Sequence, residues 1–227
     1  STAINITTGA RSKLTITTQP SASATSDVAF ATQPVVRIED SGGNPVSENL
    51  TGVTASLASG AVTLGGTLLA STNAGGVASF TDLKITGATG ARTLLFAATG
   101  LTSATSSAVT LGAGSATQLT VTTQPSASAA NAVAFAAQPA IQLRDASTNP
   151  VATAGVVITA ALASGGVTLG GTLTATTDGT GLATFTNLSI TGLIGSRTLT
   201  FTSGILTAAT STAINITTGA RSKLTIT

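Results

Sequence analysis

Apolar and polar residues alternate along this chain with a period of two. Leu14 and Ile16 are spaced by Thr15, and Val36 and Ile38 by Arg37. Val53, Ala55 and Leu57 alternate with Thr54 and Ser56, Leu94 and Phe96 with Thr93 and Leu95, and Val109 and Leu111 flank Thr110. The same scheme returns in Ile141 and Leu143, Ile158 and Leu162, Leu199 and Phe201, and Ile214 and Ile216. Successive side chains of a strand point to opposite faces, so each run predicts a strand with one buried face. Turn residues punctuate the runs: Gly42-Gly43-Asn44-Pro45, Ser59-Gly60, Gly65-Gly66, Asn73-Ala74-Gly75-Gly76 and the stretch from Gly87 to Gly90. No stretch keeps a helical period. About seven short strands per hundred residues, with regular turns, predict an all-β fold of two-sheet sandwiches.

The scheme recurs because the sequence does. Residues 1–17 reappear unchanged as residues 211–227, a period of 211 − 1 = 210 residues. Inside it lies a second, degenerate repeat. Leu14-Thr15 matches Leu119-Thr120, Thr17-Thr18-Gln19-Pro20 matches Thr122-Thr123-Gln124-Pro125, and Asn44-Pro45-Val46 matches Asn149-Pro150-Val151, at an offset of 119 − 14 = 105. About half of the positions aligned at that offset are identical, and self-similarity at a fixed period marks an array of like units. The organisation expected is the last strand of a preceding repeat at residues 1–9, one repeat at 10–114, a second at 115–219, and the first strand of a following repeat at 220–227. Phe30, Phe80 and Phe96 recur as Phe135, Phe185 and Phe201, and all six are assigned to the two cores. A last strand ending near Leu111 and a first strand starting at Gln118 leave a short linker around Gly112-Ala113-Gly114-Ser115, which restricts bending but holds enough glycine to allow some. Neighbours that are only half identical are less prone to misassemble during folding.

Composition narrows the chemistry. Of 227 residues 42% are hydrophobic and only 7% charged, against about a quarter in ordinary globular chains. Disorder needs low hydrophobicity with high net charge, and the net charge here is +2. Cys, Met, Trp, Tyr and His are all absent. That removes a disulfide framework, thiol chemistry and imidazole acid–base chemistry. The basic residues form no cluster, so a nucleic-acid partner is not expected. No apolar run approaches the roughly 20 residues of a membrane span. No signal peptide opens the chain, which reads as an internal stretch of something longer.

The motifs resemble those of a known family. Lys13 to Pro20, Phe30 to Val36 and Asp40 to Val46 look like the repeat of very large bacterial surface proteins with immunoglobulin-like domains. Thr177-Asp178-Gly179-Thr180-Gly181-Leu182-Ala183-Thr184-Phe185 is similar to the turn-and-strand motif of invasin- and intimin-type bacterial repeats. The resemblance covers both repeats and implies tandem immunoglobulin-like β-sandwich domains joined end to end by short linkers. It also implies secreted or surface-anchored stalks, adhesins and filaments. The chain is poorer in charge than most such repeats, as modules packed against neighbouring chains would be.

Candidate sites are few. Serines and threonines abound without an evident base, and Glu39 and Asp40, adjacent on a predicted strand, point to opposite faces. The second repeat carries Arg144 in place of Glu39. No catalytic, cofactor-binding or metal residue is assigned, and no enzyme is expected. Asp40 and Asp145 are the acids kept in both repeats. With Asn44 and Asn149 they suggest a loop calcium site, but calcium takes six to eight oxygens, and one carboxylate per loop reads instead as a cap on the following turn. Lys13 on a first strand and Asn215 on a last strand suggest an isopeptide strut. They lie in different repeats, with Thr110 and Gln118 at the matching positions, and both point outward. Arg92 and Arg197, beside Gly90 and Gly195, read as solvated strand-start residues or, more sharply, as a shared ligand site. Asn5, Asn49, Asn187 and Asn215 begin glycosylation sequons.

The function expected is a structural repeat segment of a long extracellular or cell-surface stalk or filament, providing reach and mechanical strength. Its partners are neighbouring repeats and other copies of the chain in a fibre, with strand exchange as one route. The alternative is an adhesin binding module whose outer strand faces, rich in Thr, take glycan, ice or a host surface.

Overall fold

The computed structural model describes residues 3–5, 7–163 and 166–219. The chain divides into two compact units, Ser1–Gly114 and Ser115–Thr227. Both are all-β, with no α-helix among the described residues.

Unit 1 holds β1 (Arg11–Thr18), β2 (Ser23–Thr25), β3 (Val35–Asp40), β4 (Gly52–Leu57), β5 (Thr63–Gly65), β6 (Leu69–Ser71), β7 (Val77–Ser79), β8 (Lys84–Thr86), β9 (Gly90–Arg92), β10 (Leu94–Ala97), β11 (Ala104–Thr105) and β12 (Val109–Gly112). One layer is the antiparallel sheet β1-β3-β7. In the other, β4 lies between β6 and β10, and β10 pairs with β11. That layer continues into β2-β12-β9, because only Thr93 separates β9 from β10. β2 runs parallel to the last strand, with Ala24 opposite Leu111. A short ribbon, β5 with β8, completes the unit. β1, β3 and β7 in one layer, with β4, β10 and β12 in the other, is the immunoglobulin-like sandwich.

Unit 2 repeats the plan in β13 (Gln118–Thr123), β14 (Ser128–Ala130), β15 (Ala140–Arg144), β16 (Val157–Leu162), β17 (Val167–Gly170), β18 (Thr174–Thr176), β19 (Leu182–Thr184), β20 (Ser189–Gly192), β21 (Gly195–Arg197), β22 (Leu199–Thr202), β23 (Ala209–Thr210) and β24 (Ile214–Thr217). Its sheets are β13-β15-β19, β18-β16-β22-β23, β14-β24-β21 and β17-β20.

The period-two pattern decides which face is buried. In β4, Val53 and Ala55 are buried while Thr54 and Ser56 are exposed, and in β12 Val109 and Leu111 are buried around exposed Thr110. Leu14, Val36, Ile38 and Ala78 from one layer meet Val53, Ala55, Leu94, Phe96, Val109 and Leu111 from the other. All six phenylalanines are buried. Phe80 and Phe96 pack tilted with ring centroids 5.2 Å apart, and Phe185 and Phe201 do so at 5.5 Å. Pairs of this kind add about 0.5–1.5 kcal/mol beyond area burial.

Gly76 and Gly181, at matching turns of the two units, are compulsory. Gly76 has φ +71°, and a Cβ there would come within 2.0 Å of the Val46 carbonyl oxygen. Gly181 has φ +78°, with the Val151 carbonyl oxygen 1.9 Å from the same virtual atom. Only glycine adopts this backbone freely and leaves room for the neighbouring strand.

Of the strands expected outside the two repeats, the one at residues 220–227 lies outside the described residues. Residues 3–5 and 7–9 are exposed and form no strand.

Candidate functional site

Asp40 ends β3, and its carboxylate gathers N–H donors from two directions. Oδ1 accepts from the backbone of Gly42 and of Asn44, each at 2.9 Å. The Asn44 side-chain amide donates to Oδ1 at 3.2 Å and to Oδ2 at 3.0 Å. Oδ2 also accepts the backbone N–H of Gly9, 31 residues earlier, at 2.8 Å. The local part follows from the sequence, since an Asp followed by Gly-Gly-Asn folds its side chain onto the next turn. The Gly9 bond is tertiary. It ties the segment ahead of β1 to the loop after β3.

These donors, the Asn44 amide first and the Gly9 backbone next, stabilise the carboxylate anion and lower its pKa to about 2. Asp145 repeats the turn, accepting from Ser147 N at 2.9 Å, Asn149 N at 2.8 Å and Asn149 Nδ2 at 2.8 Å. A cation at either place would face N–H hydrogens, so the geometry is that of a turn cap. Among the described residues, no group of three or more acidic, His or Cys side chains is placed to hold a metal ion.

Glu39 serves a different set of groups, on the other side of the strand from Asp40. The β1–β3 register sets Lys13 opposite Glu39 and Thr15 opposite Arg37. Glu39 takes an ion pair from Arg37, a hydrogen bond from Thr15 Oγ1 at 2.7 Å, and the Lys13 ammonium at 3.9 Å. Arg37 and then Thr15 hold its pKa below the usual value. Glu39 is nonetheless buried, which an outward strand position does not suggest. The three side chains folded over it exclude water.

The arginines correct the sequence expectation. Arg92 is not a solvated strand-start residue. Its guanidinium folds back on the preceding turn, donating to the carbonyls of Ala91 and Ala88, both at 2.8 Å. Arg197 does the same to Ser196 at 2.9 Å and Leu193 at 3.2 Å. Both are turn clamps through their terminal guanidinium nitrogens, while the buried Nε of each makes no hydrogen bond.

Lys13 belongs to unit 1 and faces Glu39, whereas Asn215 is exposed on β24 of unit 2. The buried Lys–Asn pair that an isopeptide strut needs is absent from this arrangement. Asn5, Asn49, Asn187 and Asn215 are all exposed. Asn187 Oδ1 accepts the Thr172 N–H at 2.7 Å.

Sequence reasoning missed the glutamines. Gln33 Nε2 donates to the carbonyls of Phe30 and Leu83, and its Oε1 accepts Leu83 N at 3.0 Å. Gln138 repeats this with Phe135 and Leu188. Gln19 and Gln124 accept the N–H groups of Ser107 and Thr212, each 88 residues away. The only signal was recurrence of the Gln-Pro pairs, which the sequence leaves without a physical role.

No family model and no curated protein matches the chain. Among solved structures, it resembles the Escherichia coli adhesin FdeC at 18% identity and a TM-score of 0.45, covering 96% of this chain and 68% of that one. It resembles the Yersinia pseudotuberculosis adhesin InvE at 20% identity and 0.35, covering 89% and 58%. A β-glycosidase from Bacteroides vulgatus is similar at 12% identity and 0.39, covering 89% of this chain and 25% of the enzyme. Values of this size do not separate an adhesin from an enzyme.

Proposed function

We propose that the chain is a structural repeat segment of an extracellular or cell-surface stalk or filament and has no enzymatic role. The observation that carries this reading is the 210-residue period, unchanged over residues 1–17 and 211–227, in a chain whose units each close on a core of their own. A period repeated to the residue sets distance and has no single site.

The polar side chains support it. Asp40, Gln19, Gln33 and Arg92, with their partners in unit 2, bond to backbone groups of turns and strand ends. Each buttresses the sandwich. Gly9 and Gly219 are one residue of the period. Seen ahead of unit 1 it is fastened to Asp40, and seen behind unit 2 it lies against the Asn131 carbonyl oxygen, 2.7 Å from where its Cβ would stand. The adhesin reading would want an exposed aromatic or acidic cluster; the phenylalanines are all in the cores, and the acids are occupied as caps and ion pairs.

Single-molecule stretching of the chain between inert handles tests the proposal. Two unfolding peaks of similar force, each releasing the length of about one hundred extended residues at ~3.5 Å apiece, are expected. Unfolding without measurable resistance would sink it.

A further inference from the structure

The four Asn-x-Ser/Thr sequons differ in what the fold has done with them. Asn5 and Asn215 are the same residue of the 210-residue period, and Asn215 is locked in mid-strand. It stands opposite Ser128 on β14 and Ser196 on β21, and its backbone N–H donates to the Ala127 carbonyl at 2.8 Å. Asn187 is spent as a cap. Its Oδ1 accepts Thr172 N at 2.7 Å, as Asp82 accepts Thr67 N at 2.8 Å in unit 1, and Leu188 after it is fully buried. Asn49 is different. It is exposed in the irregular segment between β3 and β4, and among the described residues its side chain has no hydrogen-bond partner. Thr51, which completes its sequon, donates its hydroxyl to Glu48 Oε1 at 3.0 Å.

The second repeat shows that this loop folds without a sequon. At the same offset, Asn49-Leu50-Thr51 becomes Ala154-Gly155-Val156. Leu50 N donates to the Thr72 carbonyl and Thr51 N to Thr72 Oγ1; Gly155 N and Val156 N bond Thr177 in the same way. The middle residue is left-handed in both, with φ 61° at Leu50 and 83° at Gly155. Glycine adopts that backbone freely, whereas leucine is strained by it. Unit 1 therefore keeps a strained leucine, 77% exposed, where glycine would serve the fold better. Strain of this kind gathers at functional positions. We propose that Asn49 is an N-glycosylation site. The donor is a sugar carried on a diphosphate, itself attached to a lipid or a nucleotide. Asn49 Nδ2 bonds to the anomeric carbon, and the bond from that carbon to the diphosphate oxygen breaks. The diphosphate leaves with the electron pair, and Nδ2 gives one proton to the base of the transferase. Asn187 and Asn215 cannot enter a transferase without first giving up backbone hydrogen bonds of the folded unit, whereas Asn49 is already free. A glycan is bulky and solubilising. It supplies hydration to a chain only 7% charged, and it covers Leu50. The inference goes beyond the stalk reading and stands without it.

Peptide mass mapping of the chain purified from the cells that naturally make it reads the site. The peptide holding Asn49 should be heavier by whole sugar residues, and those holding Asn187 and Asn215 should keep their bare masses. A single sugar on Asn49 identifies a nucleotide-linked donor, and an oligosaccharide added whole identifies a lipid-linked one. Thr51→Val, made in the same cells, gives unit 1 the residue that unit 2 carries at this position and should return the Asn49 peptide to its bare mass. Thr51→Ser and Leu50→Gly both keep the sequon and should keep the sugar. A bare Asn49 in the natural chain, sugar on Asn187 or Asn215 in its stead, or an adduct that survives Thr51→Val overturns the proposal.

Discussion

Ile4 and Ile214 sit in the same nine-residue sequence, one 89% exposed and the other 0%. Replacing each by alanine therefore isolates tertiary context with local sequence held constant. At Ile214 the change deletes Cγ1, Cγ2 and Cδ1 from a closed core, about 2.4 kcal/mol of transfer free energy at ~0.8 kcal/mol per carbon. The cavity left behind raises the expected loss to about 2–5 kcal/mol. β24 is pinned on both sides, by Ser128 and by Ser196, and cannot slide to fill the gap. At Ile4 the deleted carbons face water, and the expected change is within about 0.5 kcal/mol. Urea unfolding of the full chain, followed by amide exchange resolved to each unit, separates the two outcomes. Ile214→Ala should lower the stability of unit 2 alone. A comparable loss from Ile4→Ala, or a loss below about 1 kcal/mol from Ile214→Ala, would refute the reasoning.

Gly76→Ala should destabilise unit 1 by upward of about 2 kcal/mol through left-handed backbone strain, before the clash with the Val46 oxygen, and a melting curve at about 4–8 °C per kcal/mol reads it. Thr148 holds φ 65° where unit 1 has Gly43 at φ 84°; Thr148→Gly should stabilise unit 2 by about 0.5–1 kcal/mol, because relief of that strain exceeds the entropy of an added glycine, and a lowered midpoint would contradict this. Gln33→Ala strands the Leu83 N–H and should cost unit 1 about 1–3 kcal/mol, measured by denaturant titration against Gln138→Ala in unit 2. Asp40, lowered to about 2 from 3.8, favours the folded state whenever it is ionised. Its contribution is complete above pH 3.8 and is lost as the pH falls through about 2. Melting temperatures followed from pH 6 to pH 2 should fall less steeply for Asp40→Asn than for the natural chain, and parallel curves would remove Asp40 from the acid response.

The alternation of Val53-Thr54-Ala55-Ser56 and of Ile214-Asn215-Ile216 already states which face is wet. Strand phase, the six core phenylalanines and the repeat itself were legible because they depend on near neighbours and on self-comparison. The turn caps of Asp40 and Asp145 were legible for the same reason, each turn partner lying within four residues, whereas the Gly9 bond to Asp40 spans 31 residues and was not. The glutamine pins were not. Gln33 finds its partner 50 residues on and Gln19 finds its own at 88, distances at which no local pattern survives. Burial of Glu39 likewise waited on the register that brings Lys13 and Thr15 over it. Residues 211–219 mark the boundary most plainly. Their sequence is written for a strand, but a strand is half of a hydrogen-bond ladder. β14 and β21 supply the other half on both sides of Ile214–Thr217 and bury its two isoleucines, because backbone polar groups give up solvent only for partners that tertiary structure alone can bring.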